Sequence, residues 1–443
     1  MFSRRNRRPK SAELLKAGDL VDAGDIPAAL RQLRAAAAEG EPLGDVALVL
    51  GRAAAAVGFD DLREAAAALA AAPQKAQALY GFGYACVERG LPDLAIPALR
   101  EALRQHPGRL PIMRELVTAY EREGRHREAV ETLSRYEEDF ADWPDRYLLV
   151  FNAIMAGDLT LAGSQHALLP APEDPQWLPT QARQSRMLAR AAVAAPVSPL
   201  DATDLRGWQF VMGGTVLGTL SPFGFTEGMH GRYAWVQDSH SRCLQGLLRL
   251  QALLEAAGVR PRSVSLLPDR GSQILGLAAA GVLGLPAEPF EPGREDTVVI
   301  AYDLNELAAE DDGPELLGQL LPRTRGQVLH EHASSWTDLP VITADSVALL
   351  HQSVVAPWEG QLRLGDDGEA SRSSADTRPA AEIAAEIVGA DASLDAADDG
   401  DGEAPPDTAE GFTRFVTAVR ESWLQGDRTR LNSSGPVTSS KFA

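Results

Sequence analysis

From residue 11 to about residue 169, apolar positions return every three or four residues in Ala- and Leu-rich runs with short Gly or Pro punctuation and no β-branched alternation. This predicts an all-α series of helices. A connection marked by Pro170, Pro172, Pro175 and Pro179 follows, then a predicted helix over 181–193 and a break at Pro196 and Pro199. The pattern then changes: 208–220 reads as one or two strands with a glycine bend, and 242–257 as an amphipathic helix. Residues 263–267 read as a strand, 272–283 as a helix, 297–302 as a buried strand, 315–321 as a helix, 327–332 as a strand and 346–356 as a helix. Strands alternating with helices need crossovers, so a mainly parallel sheet is expected. The expected fold is multidomain: helices over 11–169, a linker and helix over 170–200, and an α/β domain over 201–364.

Beyond residue 364 an acidic run rich in Ala, Ser and Gly lacks the apolar residues needed to offset ordering, and 365–408 is expected to be a disordered tether. A brief helix over 380–388 fits within it. The segment 409–425 reads as an amphipathic helix with Phe412, Phe415, Val416, Val419 and Trp423 on one side. Such a helix docks on its own body or on a partner, and its own body is the favoured expectation.

The helical part repeats. Gly24, Gly90, Gly124 and Gly157 are each followed five residues later by Ala (Ala29, Ala95, Ala129, Ala162), and the first three by Leu four residues further on (Leu33, Leu99, Leu133). The step is 33 or 34 residues, the period of paired-helix repeats. Glycine ends the first helix, small alanines let the second approach, and Pro107 follows Ala102 as a stop. The motif is fullest in residues 79–90 with Ala95, Leu99 and Ala102, and returns in Leu116, Tyr120, Gly124, Ala129 and Leu133. On these residues the segment resembles the tetratricopeptide repeat family, with four to five units; the one near Gly58 carries Arg63 where a small residue is expected. A plain Ala-rich bundle is the alternative.

Stacked helix pairs turn the first helix of each pair toward a groove. The positions that face it are expected to be Tyr80 and Tyr84, Arg114 and Thr118, and Tyr147 and Phe151, aromatic and Arg types that dominate protein recognition. Packing within the domain is the competing account of the same residues. A Lys/Asn/Arg clamp for a terminal carboxylate is lacking, which favours an internal or apolar peptide.

Composition narrows the classes. With 45% hydrophobic and 23% charged residues among 443, the chain suits a folded globular protein. The net charge of −20 argues against a general nucleic-acid partner. Fourteen carboxylates against Arg372 and Arg378 between residues 366 and 410 hold most of that charge. Only two cysteines, Cys86 and Cys243, occur, and neither a secretory signal nor a bilayer-spanning run is read, so a cytoplasmic protein without a membrane partner is expected.

Chemistry is less visible. Residues 263–277, with Asp269, Arg270, Gly271 and Ser272 in the turn, then Leu283-Gly284-Leu285-Pro286, resemble the pyrophosphate-loop region of type I phosphoribosyltransferases. That resemblance implies phosphate held by Arg270 and the turn, with Asp303 at a ribose. The paired acids and Thr/Gly-rich loop of that family are missing after the strand at 298–302, so activity is expected to be lost; an ordinary strand–turn–helix reads equally well. His330 and His332 share one strand face and offer two imidazoles, with Asp345 as a distant carboxylate, although hydrogen-bonded histidines are the favoured reading. His230, Asp238, Ser239, His240 and Ser241 lack a nucleophile elbow. Trp208, Trp235, Trp336 and Trp358 are read as packing residues. No catalytic residue, cofactor or metal is assigned. The expected function is a cytoplasmic bacterial adaptor that binds a protein partner through the repeats; the alternative is a phosphoribosyltransferase-like enzyme or a nucleotide- or phosphate-binding regulator.

Overall fold

In the computed structural model, which describes residues 11–364, 370–393, 400–431, 433 and 435–439, each glycine stop turns one helix into the next. The first unit, Met1–Glu173, holds five such pairs among its described residues. They are α1 (Ala12–Asp22) with α2 (Ile26–Ala38), α3 (Leu43–Ala56) with α4 (Asp60–Ala71), and α5 (Ala76–Glu88) with α6 (Pro92–Gln105). α7 (Leu110–Arg122) with α8 (His126–Arg135), and α9 (Tyr147–Met155) with α10 (Leu159–Leu168), complete the array.

The five turns share one hydrogen-bond scheme. At Gly90 (φ 71°) the N–H of Leu91 donates to Cys86 O at 2.8 Å, and at Gly124 (φ 66°) the N–H of Arg125 donates to Tyr120 O at 2.8 Å. Asp25 to Leu20, Phe59 to Ala54 and Asp158 to Ala153 repeat the bond at 2.9–3.0 Å. This six-to-one closure needs a left-handed residue, which is why glycine recurs. Ala29, Ala95, Ala129 and Ala162 are fully buried, and in the pair turning at Gly58 the buried small residue is Ala66, one turn beyond the expected position of Arg63. Gly83 of α5 lies so close to Leu99 of α6 that a Cβ would stand 2.4 Å from Leu99 Cγ.

The second unit, Asp174–Ala443, begins with α11 (Leu178–Ala194) and α12 (Leu205–Gly213). It continues through β1 (Val216–Leu217), β2 (Tyr233–Gln237), α13 (His240–Ala257), β3 (Ser263–Leu266), α14 (Arg270–Leu283) and β4 (Ala287–Pro289). Then come β5 (Thr297–Ala301), α15 (Leu304–Ala308), α16 (Gly313–Leu320), β6 (Val328–Ser335) and β7 (Ser346–Val355). A small antiparallel pair, β8 (Leu362–Leu364) with β9 (Ala370–Arg372), precedes α17 (Ala380–Val388) and α18 (Ala409–Val419). The main sheet has seven parallel strands in the order β1-β7-β6-β5-β3-β4, with β2 also on β7. Counted from β3 as 1, the five strands β4-β3-β5-β6-β7 run 2-1-3-4-5, the doubly wound order of flavodoxin-like folds.

Three expectations are corrected. Residues 208–220 are not a strand pair: Asp204 caps α12 by accepting from Gly207 N at 2.9 Å, Gly214 at φ 77° ends it, and only Val216–Leu217 is extended. Residues 346–356 form β7, not a helix; the first six are buried on both faces, so the run lacks the alternation that marks a half-buried strand. Within the tether expected over 365–408, the brief helix read over 380–388 is present as α17, with Ile383, Ala384 and Ile387 buried; the strand β9 was not expected there, and residues 365–369 and 394–399 lie outside the described residues. α18 docks on its own unit, burying Phe412, Phe415, Val416 and Val419, with Phe415 edge-on to Phe210 at 5.9 Å.

β6 passes to β7 through residues 336–345 without a helix. The late chain holds that connection: Thr343 N donates to Arg428 O at 2.9 Å, and Ile342 bridges Thr429. The Arg428 guanidinium, fully buried, donates to Asp345 Oδ2 at 2.7 and 3.0 Å and to Leu320 O at 2.6 Å.

Candidate functional site

The six predicted groove residues fall into two kinds. On α5, Tyr80 and Tyr84 stand one turn apart on one face, their ring centroids 6.3 Å apart and tilted by 38°. Tyr84 is 46% exposed and Tyr80 half-buried. Burial, with help from Glu115 and Tyr84, pushes the Tyr80 phenol above its ordinary pKa. Tyr80 packs in part against the core of the array, while Tyr84 is turned to solvent.

The other four are engaged within the array. Arg114 of α7 makes a two-pronged ion pair with Asp145, Nε to Oδ1 at 2.7 Å and Nη2 to Oδ2 at 2.8 Å. Asp145 is fully buried and also accepts from Ala141 N at 3.0 Å. Thr118 Oγ1 donates to Arg114 O at 3.0 Å. Tyr147 is only 7% exposed, stacked between Trp143 at 5.5 Å and Phe151 at 6.4 Å, and Phe151 meets His126 edge-on at 6.2 Å. Sequence reading missed Asp145 and Trp143 because both lie before α9, outside the repeat motif.

In the second unit, the polar side chains of the predicted phosphate turn, Asp269, Arg270 and Ser272, each have a hydrogen-bond partner in the chain. Arg270 Nη2 donates to the carbonyls of Asp376 and Arg378, each at 2.8 Å. Asp269 Oδ2 caps α14 by accepting from Ser272 N at 2.9 Å, and Ser272 Oγ accepts from Tyr302 N at 3.0 Å. Gly271 is crowded: a Cβ there would meet Glu306 Oε2 at 3.0 Å. Asp303 caps α15 through Asn305 N at 2.8 Å. Burial, reinforced by the negative charges of Asp338 and Asp269, lifts the Asp303 carboxyl to about 6. Burial and Asp303 lift Glu331 to about 8, and burial with Asp303 and Asp269 lifts Glu306 to about 7.

The two strand histidines are buried rather than presented. His330 Nδ1 lies 3.0 Å from Ser346 Oγ, and His332 Nε2 lies 3.0 Å from Asp238 Oδ2. Asp345, proposed as their distant carboxylate, is held by Arg323 and Arg428 instead. Burial lowers His330 to about 3. Asp238, Cys243 and His332 bring an oxygen, a sulfur and a nitrogen within 4.8 Å of one another, a donor set that suits zinc. Here Asp238 accepts from Ser239 N at 2.9 Å and Tyr302 Oη at 3.0 Å. Burial alone would raise its pKa, but His332, the Ser239 N–H and the charge of Arg242 outweigh it and hold the carboxyl below its ordinary value. His230 and His240 are not part of this cluster: His230 Nδ1 lies 3.2 Å from Thr438 O, and His240 lies 3.7 Å from Glu386.

Paired helices turning at left-handed glycines define the first unit as a helical-repeat array. The array is of the tetratricopeptide repeat type: residues 87–150 match the profile of that family. Among solved structures, MamA AMB-1 is 22% identical over 36% of this chain and 96% of its own, with a TM-score of 0.24. TTC0263, described as a thermophilic TPR protein in Thermus thermophilus, is 20% identical over 39% of this chain and 97% of its own, with a TM-score of 0.25. No curated protein matches the chain. No described helix is long and apolar enough to cross a membrane.

Proposed function

We propose that the chain is a cytoplasmic bacterial adaptor whose repeat array docks an extended segment of a protein partner on the α5 face, with the second unit as a non-catalytic module. One observation carries this reading. Tyr84 is held at 46% exposure beside Tyr80, in an array whose other aromatic positions on the first helices are engaged by neighbours. Exposed tyrosine pairs combine apolar area with little rotamer freedom, which makes them effective anchors. The net charge of −20 sets the expected partner apart from nucleic acid and from anionic membrane surfaces. For the second unit, the engaged Arg270 turn supports a structural rather than a phosphate-binding role.

The test places a photo-crosslinking phenylalanine analogue at position 84 in the full chain, with position 57 as an exposed control. One protein captured repeatedly at 84, absent at 57 and lost on Tyr80→Ala, is the expected result. Equal capture at both positions defeats the reading.

A further inference from the structure

Four arginines of the second unit meet at the amino-terminal ends of β6 and β7, away from the Arg270 turn. Arg186 and Arg190 stand one turn apart on α11, Arg323 lies between α16 and β6, and Arg428 follows α18. Three of them close on the Gln425–Gly426 peptide. Arg190 Nη2 and Arg323 Nη1 both donate to Gln425 O at 2.9 Å, and Arg323 Nη1 also donates to Gly426 O at 2.5 Å. Arg186 lies against Gly426, where a Cβ would stand 2.4 Å from its Nε.

Among the described residues Asp345 is the one carboxylate paired with any of the four. Its oxygens are taken by Arg323, Arg428 and the N–H of Leu329. The carbonyls accept further bonds but carry no net charge, so four guanidiniums face a single acid. Two nitrogens are left over: Arg190 Nε and Arg323 Nη2 are buried without an acceptor in the chain. Arg190 is 4% exposed and the Arg323 side chain 7%, so water is a poor substitute. Burial, with the charges of Arg323 and Arg186, lowers Arg190 to about 10. Arg186 is half-buried and has no hydrogen bond or ion pair among the described residues.

We propose that Arg186, Arg190 and Arg323 bind a tetrahedral oxyanion, phosphate or the phosphate group of an ester, which enters past Arg186. Guanidinium N–H groups match the oxygens of such a group and supply the charge it needs. The depth of Arg190 and Arg323 suits a compact group rather than an acidic peptide, whose backbone would have to follow it inside.

Calorimetric titration of the full chain with inorganic phosphate, at neutral pH and with sodium chloride matched for ionic strength, tests the site. One saturable site is expected, with a rise in Tm of the second unit that chloride does not give. Arg186→Gln should weaken binding about ten- to hundred-fold. Because Arg186 holds nothing else in the chain, Tm without phosphate should stay close to wild type. Arg186→Lys keeps the charge without the planar fork and should fall between the two. Arg260→Gln removes the same charge at an exposed position outside the cluster and should leave the affinity unchanged. Glycerol phosphate separates the sources: weaker binding than phosphate identifies the free ion, and equal or tighter binding a phosphate carried on a larger molecule. Absence of saturable binding, or a Tm rise equalled by chloride, overturns the proposal. So does binding that ignores Arg186→Gln or falls equally with Arg260→Gln.

Discussion

At Gly83 and Gly81, both inside α5, the same residue type answers different demands. Gly83 lies against Leu99, so Gly83→Ala must displace a packed side chain and should cost about 1–3 kcal/mol. Gly81 has nothing within 4 Å, so Gly81→Ala should be neutral or stabilise the helix by up to about 1 kcal/mol. Urea unfolding of the two variants checks the contrast, and a loss at Gly81 equal to that at Gly83 would refute it. The turn glycines and buried alanines were legible because their spacing repeats every 33 or 34 residues. The difference between Tyr84 and Tyr147 was not. Both stand at groove positions of the repeat, but Trp143 covers only the second, and Trp143 belongs to no repeat.

Single elements add pairings that spacing cannot reveal. Arg114 looked like a free groove cation, whereas its role is to neutralise Asp145, which has no exposure at all. Arg114→Ala should therefore strand a buried carboxylate and destabilise the first unit by about 2–3 kcal/mol. The control is Arg104→Ala on the solvent-facing pair with Glu101, where water screens the charges and the loss should be far smaller. Denaturant melts of both variants give the answer; equal losses would show that Asp145 is not the cause. In the second unit, β3, α14, β5 and β6 were readable because each pairs an apolar run with a turn signal. β7 misled because it is buried on both faces and follows β6 without a helix, so its apolar run fits either structure.

Across the whole molecule, buried titratable groups oppose one another. Asp303, Glu306 and Glu331 have carboxyls raised to about 6, 7 and 8, so the folded state holds protons that the unfolded chain releases. Their contribution is complete at low pH and is lost as pH rises through those values. His330 and His351, lowered by burial to about 3 and 4, contribute fully above their ordinary value of 6.5 and lose that contribution as pH falls. Between about pH 6.5 and 8 only the carboxyls of this set still change, so Tm of the second unit should fall across that range. Glu331→Gln keeps an acceptor for Leu304 N and should flatten the decline, raising Tm at pH 8 by about 2–4 °C. A wild-type Tm that is level or rising across the range would refute the assignment. None of these carboxyls stood out as buried in the sequence: Asp303 and Glu306 follow β5 in a turn and a short helix, where acids are ordinarily solvated, and Glu331 stands between two histidines within β6.

The Arg428–Asp345 pair gives the molecule a direction in time. Asp345 leaves the ribosome after Arg323 but 83 residues before Arg428, the second of the two guanidiniums that pair with it. Repeats that lean only on their neighbours can settle while translation continues. The parallel sheet, by contrast, must wait for a contact supplied well after its last strand. A stop codon shortly before position 428 would thus spare the array and leave Asp345 with only Arg323 of its two guanidiniums, even though every strand of the main sheet had been made.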